Sequence, residues 1–230
     1  MLYKFLRKWV KETPDYKTPK SNMMPLRKKD FMRNLILVNA NNCLRIGELR
    51  QLRWGMTNTY KKGDYWYTEY DLPAAICKNR KARKFISRGG EYLNRIKTFS
   101  NWVGKDDLIF CNNDDGKPIS KAELYRMWGD IMRNVDIEDT DKRTLTPYSL
   151  RHYAITCRLY AGVSHYDVSK EAGTSVQFIE QHYEHYDAKK LFFNALKDFK
   201  VDKHGMIERI ERNHGSSNYA DRHTGGQRHT

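Results

Sequence analysis

Residues 44–54 read Leu-Arg-Ile-Gly-Glu-Leu-Arg-Gln-Leu-Arg-Trp, and this stretch says most about the fold when it is taken with two later ones. Residues 148–152 read Tyr-Ser-Leu-Arg-His, while residues 172–183 begin with Ala-Gly-Thr and end with His-Tyr. Each stretch lies in or beside a helix that apolar spacing and helix start and stop residues predict. The three stretches therefore place arginines, a histidine and a tyrosine on helices that are far apart in the chain.

The rest of the chain has a mixed, mainly helical pattern. Between Asp64 and Ser87, short runs of aromatic and β-branched residues on either side of Pro73 predict a small antiparallel sheet. A short strand is predicted over 108–111. Helices are predicted over 2–10, 28–40, 46–52, 91–103, 121–135, 147–161, 166–172, 176–183 and 188–200. This pattern indicates an α+β domain in which helices dominate.

Composition divides the chain into three regions. Residues 1–24 are basic and carry Pro14 and Pro19, which is typical of a linker or lead-in. Residues 25–200 form the main domain. Residues 201–230 are expected to be a largely disordered C-terminal tail, because Gly, Ser, Asn, His and Arg dominate its end.

The charge of the chain favours a polyanionic partner. There are 42 Lys and Arg residues against 28 Asp and Glu, which gives a formal net charge of +14. Nucleic acid is the leading candidate. A membrane partner is disfavoured, since the sequence has neither a long apolar run nor a lipidation motif. The four cysteines lie far apart without a C-x-x-C pair, so we expect reduced intracellular thiols and neither a zinc site nor a disulfide framework.

The three stretches together resemble the conserved boxes of the tyrosine recombinase, or phage integrase, family. Residues 44–54 resemble its LR-x-x-EL…L-x-W box, residues 148–152 its H-x-L-RH box, and residues 172–183 its LGH…Y box. The resemblance covers about residues 25–199, the catalytic domain of the family. It leaves no stretch for the N-terminal DNA-clamping domain that many members carry. It implies a mostly helical α+β fold with a small antiparallel sheet of about three strands packed against helices.

The two arginines of these boxes, Arg45 and Arg151, would form a phosphate clamp. A phosphodiester gains negative charge in its five-coordinate transition state, and guanidiniums on its non-bridging oxygens stabilise that charge. Arginine suits this role because its planar fork stays charged and can bind two oxygens at once. Either arginine taken alone would be interpreted as an ion-pair residue, for instance Arg45 with Glu48, and it is the context of the three boxes that favours the phosphate clamp.

The resemblance identifies Tyr183 as the nucleophile, which would hold DNA as a 3′-phosphotyrosine. Such a bond conserves the energy of the broken phosphodiester, so rejoining requires no ATP. A free phenol has a pKa of about 10, so nearby positive charge or a base must activate it. Tyr186 is the alternative, and the spacing from Thr174 favours Tyr183.

The resemblance also implies a lysine on a turn of the sheet that protonates the leaving 5′ oxygen, and Lys78 is the best match. The stretch is rich in positive charge, which is equally compatible with a hairpin that grips phosphates. Candidate DNA-binding residues there are Arg80, Lys81, Arg83 and Lys84, and which lysine of the hairpin is catalytic stays open.

Two positions depart from the family pattern. Tyr148 stands where a histidine is common, and Thr174 stands where a histidine or tryptophan usually follows the glycine. Their hydroxyls can donate a hydrogen bond to a phosphate, but a hydroxyl is a poor base near neutral pH. Glu48 is expected to orient an arginine, and His152 to support the site from behind.

We therefore expect a DNA recombinase that cleaves and rejoins strands without a metal or any other cofactor. The partner would be double-stranded DNA, bound by a homo-tetramer, with a monomer allowed when the protein is free. The resemblance places it in the cytoplasm, associated with the nucleoid, in a prokaryotic, archaeal or viral system. Two alternatives stay open: a DNA-binding module on the recombinase scaffold with impaired cleavage, and an enzyme similar to type IB topoisomerases.

Overall fold

A computed structural model describes residues 2–10, 26–135, 144–183, 198–201, 203 and 207–210. The chain divides between residues 183 and 184 into two units. The helices are α1 (Leu2–Trp9), α2 (Leu26–Asn41), α3 (Ile46–Leu49), α4 (Gly90–Lys97), α5 (Lys121–Asn134), α6 (Ser149–Tyr160), α7 (His165–Ala172) and α8 (Val176–Tyr183). The strands are β1 (Thr57–Lys62), β2 (Tyr65–Leu72), β3 (Arg83–Arg88), β4 (Asp198–Val201) and β5 (Ile207–Ile210). The predicted α+β class, mostly helical with one small sheet, is confirmed.

The sheet of the first unit is antiparallel in the order β1-β2-β3. One face of β2 and β3 is buried, and there the rings of Tyr70 and Phe85 stack across the strand pair with centroids 4.8 Å apart. The sequence predicts β2 and β3 but not β1. This edge strand, Thr-Asn-Thr-Tyr-Lys-Lys, has no buried residue, so it lacks the apolar alternation that reveals a strand.

The main core lies between the sheet and helices α1, α2, α4 and α5. It includes Leu35 and Ile36 of α2 together with Leu6 and Trp9 of α1. The helix that the sequence predicts over 2–10, within the lead-in, corresponds to α1, and its apolar side is buried in the same core as α2. An amphipathic helix packs wherever an apolar partner is within reach, and sequence periodicity does not name that partner.

A second, smaller core joins α6, α7 and α8. Cys43, Ile155, Val168, Ala172 and Ile179 form its buried centre. Because these three helices carry the second and third sequence boxes, this cluster fixes the relative positions of the residues predicted to act on DNA.

Three other predictions differ from the structure. The predicted strand over 108–111 makes only isolated bridges from Leu108 and Cys111. The helix predicted over 91–103 ends at Lys97. The last helix, predicted over 188–200, does not extend to Lys200, because Asp198–Val201 form β4 and pair with β5. The rest of that predicted helix and most of the tail predicted over 201–230 lie outside the described part. No helix in that part is long and apolar enough to cross a bilayer.

Candidate active site

The two arginines of the sequence boxes meet at the end of α7. Arg45 precedes α3, and its guanidinium donates to the carbonyl oxygens of Gly173 (2.9 Å) and Ala172 (3.3 Å). Arg151 lies in the first turn of α6, only 2% exposed, and donates to the same Ala172 oxygen (2.8 Å) and to that of Cys43. One backbone carbonyl thus joins two guanidiniums that are 106 positions apart in the chain.

Positive charge exceeds negative charge around this carbonyl. Burial and the neighbouring charge of Arg45 lower the pKa of Arg151 from its ordinary value. An arginine remains protonated in proteins even so. The carboxylate of Glu48 binds the guanidiniums of Arg45 and Arg83, and its negative charge also acts on Arg151 without a hydrogen bond between them. This excess of positive charge favours the binding of an anion beside the arginines.

Glu48 is buried in α3 and binds two arginines at once. Its carboxylate accepts the backbone N–H of Arg45 (2.8 Å) and the guanidinium of that residue (3.2 Å). It also accepts two hydrogen bonds from Arg83, at 3.0 and 2.7 Å. Burial raises the pKa of Glu48, but the hydrogen bonds and charge of both arginines outweigh it and hold the pKa below its usual range. Glu48 therefore has the geometry to orient Arg45, as the sequence suggests.

Arg83 lies in a different environment from the one the sequence predicts. Its side chain is 8% exposed and points at Glu48 instead of at solvent. The reason is the two-residue period of a strand, which puts Arg83 on the same buried face of β3 as Phe85 and Ser87, while Lys84 points outward. Arg83 therefore contacts Glu48 from the buried face of the sheet. The sequence contains a signal for this. Phe85 is apolar and therefore marks the buried face of β3, and Arg83, two residues earlier, lies on the same face.

The turn between α7 and α8 fits closely over this network. Gly173 ends α7 in the left-handed region (φ 60°), and a Cβ atom there would collide with the Arg83 guanidinium. The next residue, Thr174, is half-buried, and its backbone N–H donates to the oxygen of Ser169 (3.0 Å). In the chain, Thr174 directly follows Ala172 and Gly173, whose carbonyl oxygens accept hydrogen bonds from the two arginines.

Tyr183 ends α8 and is half-buried. Its hydroxyl is hydrogen-bonded to Nδ1 of His152, and the two rings stack with centroids 5.5 Å apart and an interplanar angle of 30°. Burial raises the pKa of Tyr183 to about 12, while the positive charge of Arg151 opposes the rise. The phenol is therefore protonated at neutral pH and lies within the electrostatic reach of Arg151.

His152 follows Arg151 on α6 and lies between two tyrosines. Tyr148, which is 38% exposed, contacts it edge-on, with centroids 5.0 Å apart and an interplanar angle of 77°. Burial lowers the pKa of His152, and the charges of Arg151 and His182 lower it further. His152 is thus neutral near pH 7 and touches the hydroxyl of Tyr183, in addition to any supporting role.

The basic loop between β2 and β3 is at the surface. Lys78, Arg80 and Lys81 are exposed, and Lys84 at the start of β3 pairs with Asp71 at 2.7 Å. The structure therefore brings Arg45, Arg151 and the tyrosine end of α8 together but leaves the lysine on a solvent-facing loop.

Comparison with solved structures identifies the class of this fold. XerH site-specific recombinase bound to difH substrate, in a pre-cleavage complex, superposes with a TM-score of 0.59 at 19% identity, over 84% of this chain and 51% of that one. Its post-cleavage complex gives 0.57 at 19% identity, over 84% and 50%. Tn1549 transposon integrase with circular intermediate DNA gives 0.50 at 17% identity, over 79% and 69%. The fold is that of tyrosine recombinase catalytic domains, and the chain spans about half the length of XerH.

The sequence supports a more specific assignment. Residues 7–190 match the phage integrase family, so the chain belongs to that family. No curated protein sequence is significantly similar to it.

Proposed function

We propose that this chain cuts and rejoins DNA strands through a covalent bond between the Tyr183 hydroxyl oxygen and a 3′ phosphate. The proposal rests on one arrangement: Arg45 and Arg151 share the Ala172 carbonyl, and Tyr183 lies in the field of Arg151. Membership of the phage integrase family supports it, as does the likeness to recombinases bound to their DNA.

The two arginines would hold the scissile phosphate. Their guanidiniums are already fixed by backbone carbonyls and, for Arg45, by Glu48. Donors that are oriented before the reaction stabilise a developing charge without reorganising. The hydroxyls of Tyr148 and Thr174 would add hydrogen bonds to phosphoryl oxygens.

Tyr183 would attack the phosphorus in line with the leaving group. The bond from its oxygen to phosphorus forms as the bond from phosphorus to the 5′ oxygen breaks. We assign protonation of that 5′ oxygen to Lys78, which a bound duplex could meet on its exposed loop. The arginines supply the charge and the phosphotyrosine stores the bond energy, so this route needs neither a metal nor a nucleotide cofactor.

The partner in this proposal is double-stranded DNA. The exposed Arg80, Lys81 and Lys84 would contact backbone phosphates next to the cleaved one. Exchange between two DNA sites calls for four copies of the chain on the DNA, with a monomer allowed in its absence.

A covalent-capture experiment tests the proposal. Nicked duplexes with a randomised segment beside the nick are incubated with the protein, and adducts that survive denaturing detergent are isolated and sequenced. The nick lets the short strand diffuse away after cleavage, which traps the intermediate. We expect an adduct with the wild-type protein, none with Tyr183→Phe, and a wild-type yield with Tyr186→Phe, the matched control.

Two results would contradict the proposal. An adduct that persists in Tyr183→Phe and disappears in Tyr186→Phe would assign the nucleophile to the other tyrosine. DNA binding without any adduct would instead favour a binding module that keeps the scaffold, for which the departures at Tyr148 and Thr174 provide the reason.

A further inference from the structure

The hydrogen bond between Tyr183 and His152 carries an inference beyond the clamp. It joins Nδ1 of the imidazole to the oxygen that would attack phosphorus. Two aromatic rings contact the imidazole of His152. The ring of Tyr183 stacks on it, and the ring of Tyr148 meets it edge-on. The first turn of α6 also places it directly after Arg151.

A nucleophilic phenol needs a group that takes its proton. Its pKa of about 12 leaves almost no phenolate at neutral pH, so Tyr183 must lose the proton as it attacks. The position that commonly carries a histidine in the family is Tyr148 here, and a hydroxyl is a poor base in this pH range. Among the described residues that contact the Tyr183 oxygen, His152 is the one with a basic nitrogen.

We propose that Nδ1 of His152 accepts the phenolic proton as Tyr183 attacks, and returns it when the strand is rejoined. This rests on the proposed function. In cleavage, the proton of the phenol moves to Nδ1, the oxygen of Tyr183 bonds to phosphorus, and the 5′ oxygen leaves with a proton from Lys78. In rejoining, a 5′ hydroxyl attacks, its proton passes to Lys78, and Tyr183 leaves as it regains its proton from His152.

The surroundings of His152 are suited to this exchange. The titratable and charged groups that face it are Arg151 and Tyr148 on its own helix and Tyr183 and His182 on α8. Burial and the positive charge of Arg151 lower the pKa of His152, which favours the neutral imidazole before the reaction, so Nδ1 can accept a proton. The phosphate bound to Arg151 would offset the charge that appears on the imidazole during attack.

Three variants test this role. Asn in His152→Asn can keep a hydrogen-bond acceptor near the position of Nδ1 but cannot take up a proton. His152→Ala opens a space that free imidazole can enter. His165→Asn removes another half-buried histidine, at the start of α7, and is the matched control. The rate of adduct formation on a captured nicked duplex is measured from pH 5 to 9, with DNA affinity and unfolding measured for each variant.

The wild-type rate should fall as the pH drops through the pKa of His152, which burial and the charge of Arg151 lower from its ordinary value. His152→Asn should be slower by about 10²–10⁴-fold near pH 7 and should keep gaining rate up to pH 9, since hydroxide must then ionise the phenol. Imidazole should partly restore His152→Ala. His165→Asn should match the wild type.

A wild-type rate and pH profile in His152→Asn would overturn the proposal, because a hydrogen bond alone would then suffice. So would an imidazole-insensitive His152→Ala that still binds DNA and folds. Nitrogen-15 NMR of the free protein gives a readout without catalysis: the proton should lie on Nε2, and a protonated Nδ1 at pH 7 would also overturn it. A wild-type protein that forms no adduct contradicts the proposed function instead, which separates the two failures.

Discussion

Glu48 is the residue on which the arginine network depends most directly. Its buried carboxylate accepts hydrogen bonds from Arg45 and Arg83. We expect Glu48→Gln to lower the free energy of unfolding by about 3–5 kcal/mol, because Arg83 would be left buried without a counter-charge. Urea denaturation at pH 7 measures this. Asp71→Asn, which breaks the exposed pair with Lys84, is the control and should leave the free energy of unfolding close to that of the wild type.

The stability difference between the wild type and Glu48→Gln should depend on pH. The pKa of Glu48 in the folded state lies below its usual range, so its carboxylate stabilises the fold above the unfolded-state pKa. That contribution is lost as the pH falls through the folded-state pKa. The stability difference between the wild type and Glu48→Gln should therefore shrink in acid, and a constant difference from pH 7 down to pH 3 would contradict the assignment.

Some residues of the site can be found from neighbouring positions in the sequence, and others depend on contacts between distant positions. Arg45, Arg151 and Tyr183 are candidates from the sequence because each lies in a short box whose spacing is visible in the chain, and their catalytic roles stay predictions. The contact of Arg83 with Glu48 could not be predicted, because the two residues are 35 positions apart and meet only after β3 has packed beside α3. The contact of His152 with Tyr183 depends in the same way on the packing of α6 against α8.

The turn between α7 and α8 positions the carbonyl oxygens that accept hydrogen bonds from Arg45 and Arg151. Gly173 and Gly162 both have a left-handed backbone, but only Gly173 has the Arg83 guanidinium where a Cβ atom would be. Alanine at either position costs about 1–2 kcal/mol for the backbone. We expect Gly173→Ala to cost more than Gly162→Ala in urea denaturation and also to slow adduct formation, since the Gly173 and Ala172 carbonyls would shift. Equal effects of the two changes would mean that the close approach to Arg83 is unimportant.

Element boundaries show why helices of the fold could be predicted more fully than strands. The pattern over 176–183 predicts α8 with the bounds that the structure has, because a helix reports its own apolar period. β1 has no such signal, since its side chains are partly or fully exposed and it is defined by pairing with β2. The buried run at 108–111 has the composition of a strand, but it finds only single bridging partners at Arg53 and Pro118.

At the scale of the whole molecule, the net charge of +14 predicts DNA binding that weakens steeply with salt. Fluorescence anisotropy with a labelled 20-base-pair duplex of arbitrary sequence measures the slope of log affinity against log salt. If Lys81 contacts a phosphate, Lys81→Gln should make that slope shallower by about one unit. Lys117→Gln removes the same charge from an exposed pair with Asp115 in another loop and should leave the slope unchanged. The two variants have the same net charge, so only a local phosphate contact can make their salt slopes differ. Equal slopes in Lys81→Gln and Lys117→Gln would therefore mean that DNA affinity depends on net charge and not on a contact from the β2–β3 loop.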